Sequence, residues 1–291
     1  MNPSPFTYHR AASVGEAIGL LREHEDAGVK LLAGGHSLLP IMKLRLAEPA
    51  HVIDIGGIAG LANVSAGDDG LTIGALTTHR GLETDPAVAK HAPLLAEMAA
   101  KVGDRQVRAR GTIGGTVAHA DPTADYPAGL LALAAEFVVQ GPNGERTIPA
   151  ADFFVGFLTT ALSPDEVVTA VRVPAAPART GSNYQKLANQ ASGYAVVGVA
   201  AVVTLDDAGS CADVRIGVTG AGDHATRATA AEDALRGRPM TNEAVKAATD
   251  RADAGIDLLD DIHASTEYRR RMVRGLARRA VLAAAERAGA R

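Results

Sequence analysis

Two glycine pairs, Gly34-Gly35 within AGGHS and Gly114-Gly115 within TIGGT, are the parts of this chain best suited to hold an anion. Residues without a β-carbon let neighbouring backbone N–H groups crowd a negative oxygen, and a helix start adds a favourable dipole. The first pair sits with Leu32 and Ala33 before it and His36, Ser37 and Leu38 after it, between an apolar stretch over 29–33 and LLPIMKLRL. Pro40 fits a first helical turn, so the expected order is strand, glycine turn, helix. In the second pair, the hydroxyls of Thr112 and Thr116 flank Ile113, Gly114 and Gly115. Together the two turns could grip both halves of a pyrophosphate, for which a dinucleotide is the natural ligand. Taken singly, either pair is more often just a turn.

Asp125 could accept hydrogen bonds from sugar hydroxyls, but an Asp before Tyr126-Pro127 could equally cap a helix, and chemistry alone favours the cap. A planar aromatic ligand needs flat apolar contact, and with no Trp, five Tyr and five Phe, the chain has few residues to offer. Tyr194 is a candidate, though a Tyr beginning a buried strand reads as well. His119, Asp121 and Asp125 have metal-like spacing, but a turn rich in Asp and Pro produces the same pattern, and no other His or Cys cluster supports a metal. GAGDHA, over 220–225, imitates the nicotinamide fingerprint but lacks the following parallel strand with an acidic ribose ligand. Gly35-His36-Ser37-Leu38-Leu39 lacks the second glycine of a nucleophile elbow.

The elements that position these residues must come from a chain of 291 residues, long enough for two domains. With 47% hydrophobic and 21% charged residues the composition is globular. A net charge of −4 supplies no basic field for nucleic acid or anionic lipid. One cysteine, Cys211, cannot build a disulfide or a four-thiolate iron-sulfur cluster, so any such cluster belongs to another polypeptide. The start MNPSPFTYHRAAS lacks the basic head and apolar stretch of a signal peptide, which suits a cytoplasmic protein. The longest apolar stretch, 194–205, falls short of the roughly 18 residues that a membrane span needs.

Ser13 and Glu16 form a capping box that predicts a helix over 14–24. Strands are expected over 29–33 and 51–55, and over 63–65 and 71–73 as a pair across AGDDG. Further helices are expected over 93–102 and 126–135, and strands over 136–140, 145–148 and 167–173. VPAAPARTG, over 173–181, is the best linker candidate. Beyond it a hairpin pairs 194–205 with 212–218, three helical patterns follow, and the Ala-rich end over 280–290 is helical. No internal repeat is present.

At the two glycine segments the chain resembles the FAD-binding medium subunit of the xanthine dehydrogenase and aerobic carbon monoxide dehydrogenase family of molybdenum hydroxylases. KLLAGGHSLLPIMKLR is similar to the first flavin loop of that family, RGTIGGTVAHADPTADYPAGLLAL to the second, and QKLANQASGYA to a later segment. AGGHS, AHADP and SGYA are most like carbon monoxide dehydrogenase medium subunits, whereas Thr116 departs from the Asn or Asp of many relatives.

The resemblance implies an α+β chain: a two-lobed FAD-binding domain over 1–176 (lobes about 1–55 and 56–176), then a smaller domain over 177–291 with an antiparallel sheet and helices. It implies that Leu32, Ala33, Gly34, Gly35, His36, Ser37 and Leu38, with Thr112, Ile113, Gly114, Gly115 and Thr116, wrap the FAD pyrophosphate. Asp125 would hold a polar part of the dinucleotide, Val102 and Val168 would line its adenine side, and Lys186 and Tyr194 would lie near the isoalloxazine. No acid or base of the chain is assigned as catalytic, because the flavin does the redox chemistry.

The implied partners are a molybdopterin-binding large subunit and a small subunit with two [2Fe-2S] clusters, arranged as a dimer of heterotrimers. An external acceptor, a quinone or soluble oxidant, would remove the electrons, and would place the complex in the cytoplasm or at the inner membrane face. Alternative readings are the medium subunit of a xanthine, aldehyde or N-heterocycle dehydrogenase, a free-standing FAD oxidoreductase, and a flavin-free docking subunit.

Overall fold

The computed structural model describes residues 2–289. Its first layer is a three-stranded parallel sheet of β1 (Thr7–Arg10), β2 (Val29–Leu32) and β3 (His51–Asp54), in the order β1-β3-β2. Helix α1 (Val14–Glu23) starts where the Ser13 hydroxyl accepts from the Glu16 N–H at 3.1 Å, and the Glu16 carboxylate accepts in return from the Ala12 N–H. Its buried face, Ala17, Ile18 and Leu21, packs with Ile53 and Ile55. The chain leaves β2 through the first glycine loop into the short helix α2 (Leu38–Lys43), with Pro40 in its first turn as expected.

A five-stranded antiparallel sheet forms the second layer. Strands β4 (Val64–Gly67) and β5 (Gly70–Gly74) pair with Val64 opposite Ile73, as the turn residues between them require. Six helices follow: α3 (His79–Thr84), α4 (Pro86–His91), α5 (Pro93–Lys101), α6 (Arg105–Arg110), α7 (Ile113–His119) and α8 (Tyr126–Ala132). Of these, α4 and α7 pack on the sheet that β6 (Glu136–Gly141) and β7 (Gly144–Pro149) complete. After α9 (Ala150–Phe153) and the small hairpin of β8 (Phe154–Gly156) and β9 (Thr159–Thr160), strand β10 (Val167–Pro174) enters between β5 and β6. Leu94, Leu95 and Met98 of α5 are buried in the core shared with this sheet, where α5 packs on α3, α4 and α8, so the helical period read there is the core face. The helix expected over 126–135 stops at Ala132, where Leu133 caps it and Ala134 turns left-handed with φ 49°.

The third layer is the antiparallel sheet β11 (Thr180–Ala188), β12 (Ala195–Leu205), β13 (Cys211–Thr219) and β14 (Thr226–Arg227). Helices α10 (Thr229–Leu235), α11 (Asn242–Thr249) and α12 (Thr266–Gly289) pack on one face; Ala290, at the end of the Ala-rich segment, lies outside the described residues. The other face meets the second layer: a β-carbon on Gly217 would stand 1.9 Å from the carbonyl oxygen of Ala128. The Thr219 hydroxyl lies 2.7 and 2.8 Å from the carbonyl oxygens of Pro122 and Ala124 and donates to one of them. Contact this close needs a bare backbone at the crossing, which explains a glycine in mid-strand. Among the described residues, no helix is long and apolar enough to cross a membrane.

Candidate functional site

A cavity of about 710 Å³ opens where the three layers meet, within the range of roughly 300 to 1,000 Å³ usual for small-molecule and cofactor sites. Ala33, Gly34, Gly35, His36, Ser37 and Leu38 form one wall. Val102, Thr112, Gly114, Gly115 and Thr116 border it from the second layer, with Asp125 and Val168, and Tyr194 arrives from the third. Three of the candidate residues stand back from it. Leu32 ends β2, where its carbonyl accepts from the Ile55 N–H. Ile113 is 0% exposed, with its N–H bound to the Thr77 carbonyl oxygen. Lys186 is turned toward Asp125.

The two glycine segments are not equivalent. Along the first, the N–H groups of Gly34, Gly35, His36, Ser37 and Leu38 donate to no acceptor among the described residues. Gly35 supplies the left-handed turn, φ +78°, that folds these donors together, a conformation costly for any residue with a β-carbon. These residues line the cavity, and a run of donors without a protein acceptor at a cavity wall offers an anion a place to bind.

The second segment is a helix start rather than a turn between strand and helix. Thr112 is the N-cap of α7, accepting from the Gly115 N–H at 3.1 Å, and its carbonyl accepts from the Thr116 N–H. The Gly114 N–H is bound to the Ala75 carbonyl oxygen at 2.8 Å. The expectation of two matching amide nests is therefore corrected. These glycines bring the helix close, since a β-carbon on Gly114 would stand 2.5 Å from that of Ala75. The Thr116 side chain is likewise engaged, its hydroxyl donating to the Thr112 carbonyl.

Asp125 precedes α8 but makes no capping bond, so the reading of it as a helix cap is overturned. Its carboxylate accepts from the Tyr184 hydroxyl at 2.5 Å and from Lys186 Nζ at 2.8 Å, with Asp125 6% exposed and the Lys186 side chain 5% exposed. Lys186 also donates to the Lys101 carbonyl oxygen. Burial raises the Asp125 carboxyl above its ordinary range, with the Lys186 ammonium opposing. Each carboxylate oxygen carries two lone pairs, so the bonds from Tyr184 and Lys186 leave acceptor capacity toward the cavity.

Tyr194 lies just before β12 and is 43% exposed, so it does not begin the buried run. Burial raises its hydroxyl above the usual range, as do Asp121 and Asp125, while a hydrogen bond with Ser37 pulls the other way. The late part of the chain thereby reaches the first glycine loop across the cavity mouth.

Two further lining residues carry no sequence motif. His79 is 4% exposed, and burial pushes its imidazole down to about 4, helped by His36 and Arg108, so the ring is neutral. Among the described residues its Nδ1 has no partner, and neither has the hydroxyl of the fully buried Tyr126, whose ring lies 5.3 Å from that of His79. A ligand with polar edges would satisfy both atoms. Residues 77–79, a Thr-Thr-His run that caps and begins α3, give no local signal, because strand β5 and helix α8 create this environment from afar.

The open amides, the buried carboxylate, the unpartnered His79 and Tyr126, and the half-exposed ring of Tyr194 fit a long ligand with a charged middle, polar ends and a flat face. Comparison with known proteins agrees with that chemistry. Residues 4–176 match the family described as the FAD binding domain in molybdopterin dehydrogenase, and residues 182–284 the CO dehydrogenase flavoprotein C-terminal domain. The chain is 42% identical to the carbon monoxide dehydrogenase medium chain of Hydrogenophaga pseudoflava over 98% of each. It is 37% identical to the 6-hydroxypseudooxynicotine dehydrogenase complex subunit alpha of Paenarthrobacter nicotinovorans, over 99% of this chain and 97% of that one. Its fold superposes on that of the Hydrogenophaga pseudoflava carbon monoxide dehydrogenase lacking the Mo-pyranopterin moiety, with a TM-score of 0.95, 44% identity and 99% coverage of both chains.

Proposed function

The chain belongs to the family of FAD-binding medium subunits of the molybdenum hydroxylases, and from that premise we propose that it is the electron-transfer subunit of such an enzyme. The single observation that carries this reading is the run of five backbone N–H groups, Gly34 to Leu38, with no acceptor among the described residues, in a loop that lines the cavity together with Asp125 and Tyr194. When bound, FAD supplies an exchange between one-electron and two-electron carriers. The chain's own task is to bind and orient it. The loop amides hold the diphosphate, Asp125 accepts from hydroxyls of the dinucleotide, Val102 and Val168 give apolar contact, and Tyr194 covers a ring face. Gly114, Gly115 and Ile113 serve by seating α7 rather than by donating, and Lys186 by holding Asp125.

The electron donor in this reading is a small subunit with [2Fe-2S] clusters. Cys211, the one cysteine, is buried and cannot ligate a four-thiolate cluster alone. A molybdopterin-binding large subunit carries out the substrate chemistry, a quinone or soluble oxidant takes the electrons away, and the whole assembles as a dimer of heterotrimers. Carbon monoxide is the substrate we favour, on the strength of the 42% identical relative. The residues that select a substrate belong to the large chain, which accounts for similar identity to a relative named for 6-hydroxypseudooxynicotine.

The test is to purify the complex with its natural partners and follow the flavin bands on adding carbon monoxide. Bleaching that requires all three chains supports the proposal. A colourless but fully assembled complex would reduce the chain to a docking subunit. Flavin bleached by an N-heterocycle and untouched by carbon monoxide would keep the relay and remove the preferred substrate.

A further inference from the structure

His9, His24 and His51 are apart in sequence and meet in the first layer, and none of the three lines the cavity just described. Strands β1 and β3 are parallel neighbours in which Thr7 stands opposite His51 and His9 opposite Ile53, so the two histidines share a face of the sheet. His24, the C-cap of α1, lowers its ring onto the same spot. The rings of His24 and His51 stack at 3.8 Å with 5° between planes, and His9 lies 4.9 and 5.2 Å from them. His9 Nε2 is 2.9 Å from His51 Nδ1, and one ring nitrogen from each residue falls within 4.8 Å of the others. The neighbouring carboxylate is Glu23, 3.9 Å from His24 Nε2.

Stacking alone is a modest return for gathering three imidazoles, because such ring pairs contribute only about 0.5 to 1.5 kcal/mol. A cation would use all three lone pairs at once. Metal–imidazole distances of about 2.0 to 2.1 Å place tetrahedral ligand nitrogens roughly 3.4 Å apart. His9 Nε2 and His51 Nδ1 are 2.9 Å apart and all three ligand nitrogens lie within 4.8 Å of one another, so rotating the stacked rings out of parallel would bring the nitrogens onto one ion.

We propose that His9, His24 and His51 form a transition-metal site that takes one divalent first-row ion such as Zn²⁺, with water or Glu23 at the fourth position. Three imidazoles suit Zn²⁺, Co²⁺, Ni²⁺ or Cu²⁺ rather than Mg²⁺ or Ca²⁺. The ion joins β1, β3 and the end of α1. That layer has three strands of four residues each, a small sheet for independent stability, and its strand β2 carries the first glycine loop. The site is therefore a structural clip for the loop-bearing lobe.

The full chain, untagged and treated with chelator, would be titrated with Zn²⁺ by calorimetry and with Co²⁺ by visible absorption. One equivalent should bind, Co²⁺ should show the intense bands of a low-coordinate site, and Zn²⁺ should raise the melting temperature. His9→Gln, His24→Gln and His51→Gln should each weaken binding at least about 100-fold, the upper end of what loss of an outer-shell partner alone costs, while His263→Gln should not. Absence of binding, or weak octahedral Co²⁺ bands, would overturn the proposal, as would affinity unchanged in all three variants. If a variant fails to fold, the Co²⁺ spectrum of the unaltered chain decides the question.

Discussion

Gly34 is pressed against Arg110: a β-carbon at Gly34 would stand 2.1 Å from the Arg110 carbonyl oxygen and 2.9 Å from the Cα of Gly111. The two glycine segments are thus in backbone contact, and the loop carrying the free amides takes its position from the peptide leading into α7. Gly34→Ala should shift that loop and cost about 1 to 3 kcal/mol, as overpacking does. Flavin content after purification, read by absorbance, should fall sharply. Full retention would show that the loop does not depend on this contact.

Gly114→Ala tests the other half of the arrangement. Its β-carbon would collide with Ala75, and its N–H already serves the Ala75 carbonyl. The expected result is a loss of about 1 to 3 kcal/mol in denaturant unfolding of the flavin-free chain, because the damage lies in packing. A variant as stable as the parent but empty of flavin would mean instead that Gly114 acts on the ligand directly.

Asp125→Asn leaves Lys186 buried without its counter-charge. Removing one partner of a buried pair typically costs about 3 to 5 kcal/mol, whereas replacing both by apolar residues is often neutral. Asp125→Asn should therefore destabilise strongly, and Asp125→Leu with Lys186→Met should recover most of the stability without recovering flavin. Recovery of both would remove Asp125 from the binding site.

Acid should loosen the flavin-free chain through His79. The unfolded chain takes up the proton near 6.5 and the folded one only at about 4, so the unfolded state holds more protons between those values. Stability from this group is complete above pH 6.5 and declines as the pH falls toward 4, by at most roughly 3.5 kcal/mol at about 1.4 kcal/mol per unit. Parallel urea titrations of the parent and His79→Gln should diverge in that window, and parallel curves would assign the acid sensitivity elsewhere.

Tyr194→Ala should change stability by no more than about 0.5 kcal/mol, as befits a half-exposed side chain at a strand end. Flavin dissociation and fluorescence should both increase, with Tyr194→Phe restoring most of the parent behaviour. An unaltered flavin in Tyr194→Ala would place the ring away from the ligand.

Much of the scaffold was legible from local pattern. The capping box of Ser13 and Glu16, the hairpin that sets Val64 opposite Ile73, and the buried face of Leu94, Leu95 and Met98 depend on neighbours within a turn or two, where spacing carries the information. The first glycine loop was legible for the same reason. The second was misread as a turn: GTIGGT has the composition of one, while its helical state depends on the Gly114 N–H docking onto Ala75.

Sequence alone determined the strand, glycine turn and helix order around Gly34-Gly35, the pairing of 63–65 with 71–73, and the lack of enough cysteines for an iron-sulfur cluster. Tertiary structure decided which donors stay free, that Asp125 faces Lys186 and Tyr184 instead of capping its helix, and that His9, His24 and His51 gather on one sheet face. The physical reason is distance along the chain. Hydrogen bonds and burial between remote residues depend on how strands pair and layers stack, and no spacing within one segment encodes which remote partner will arrive.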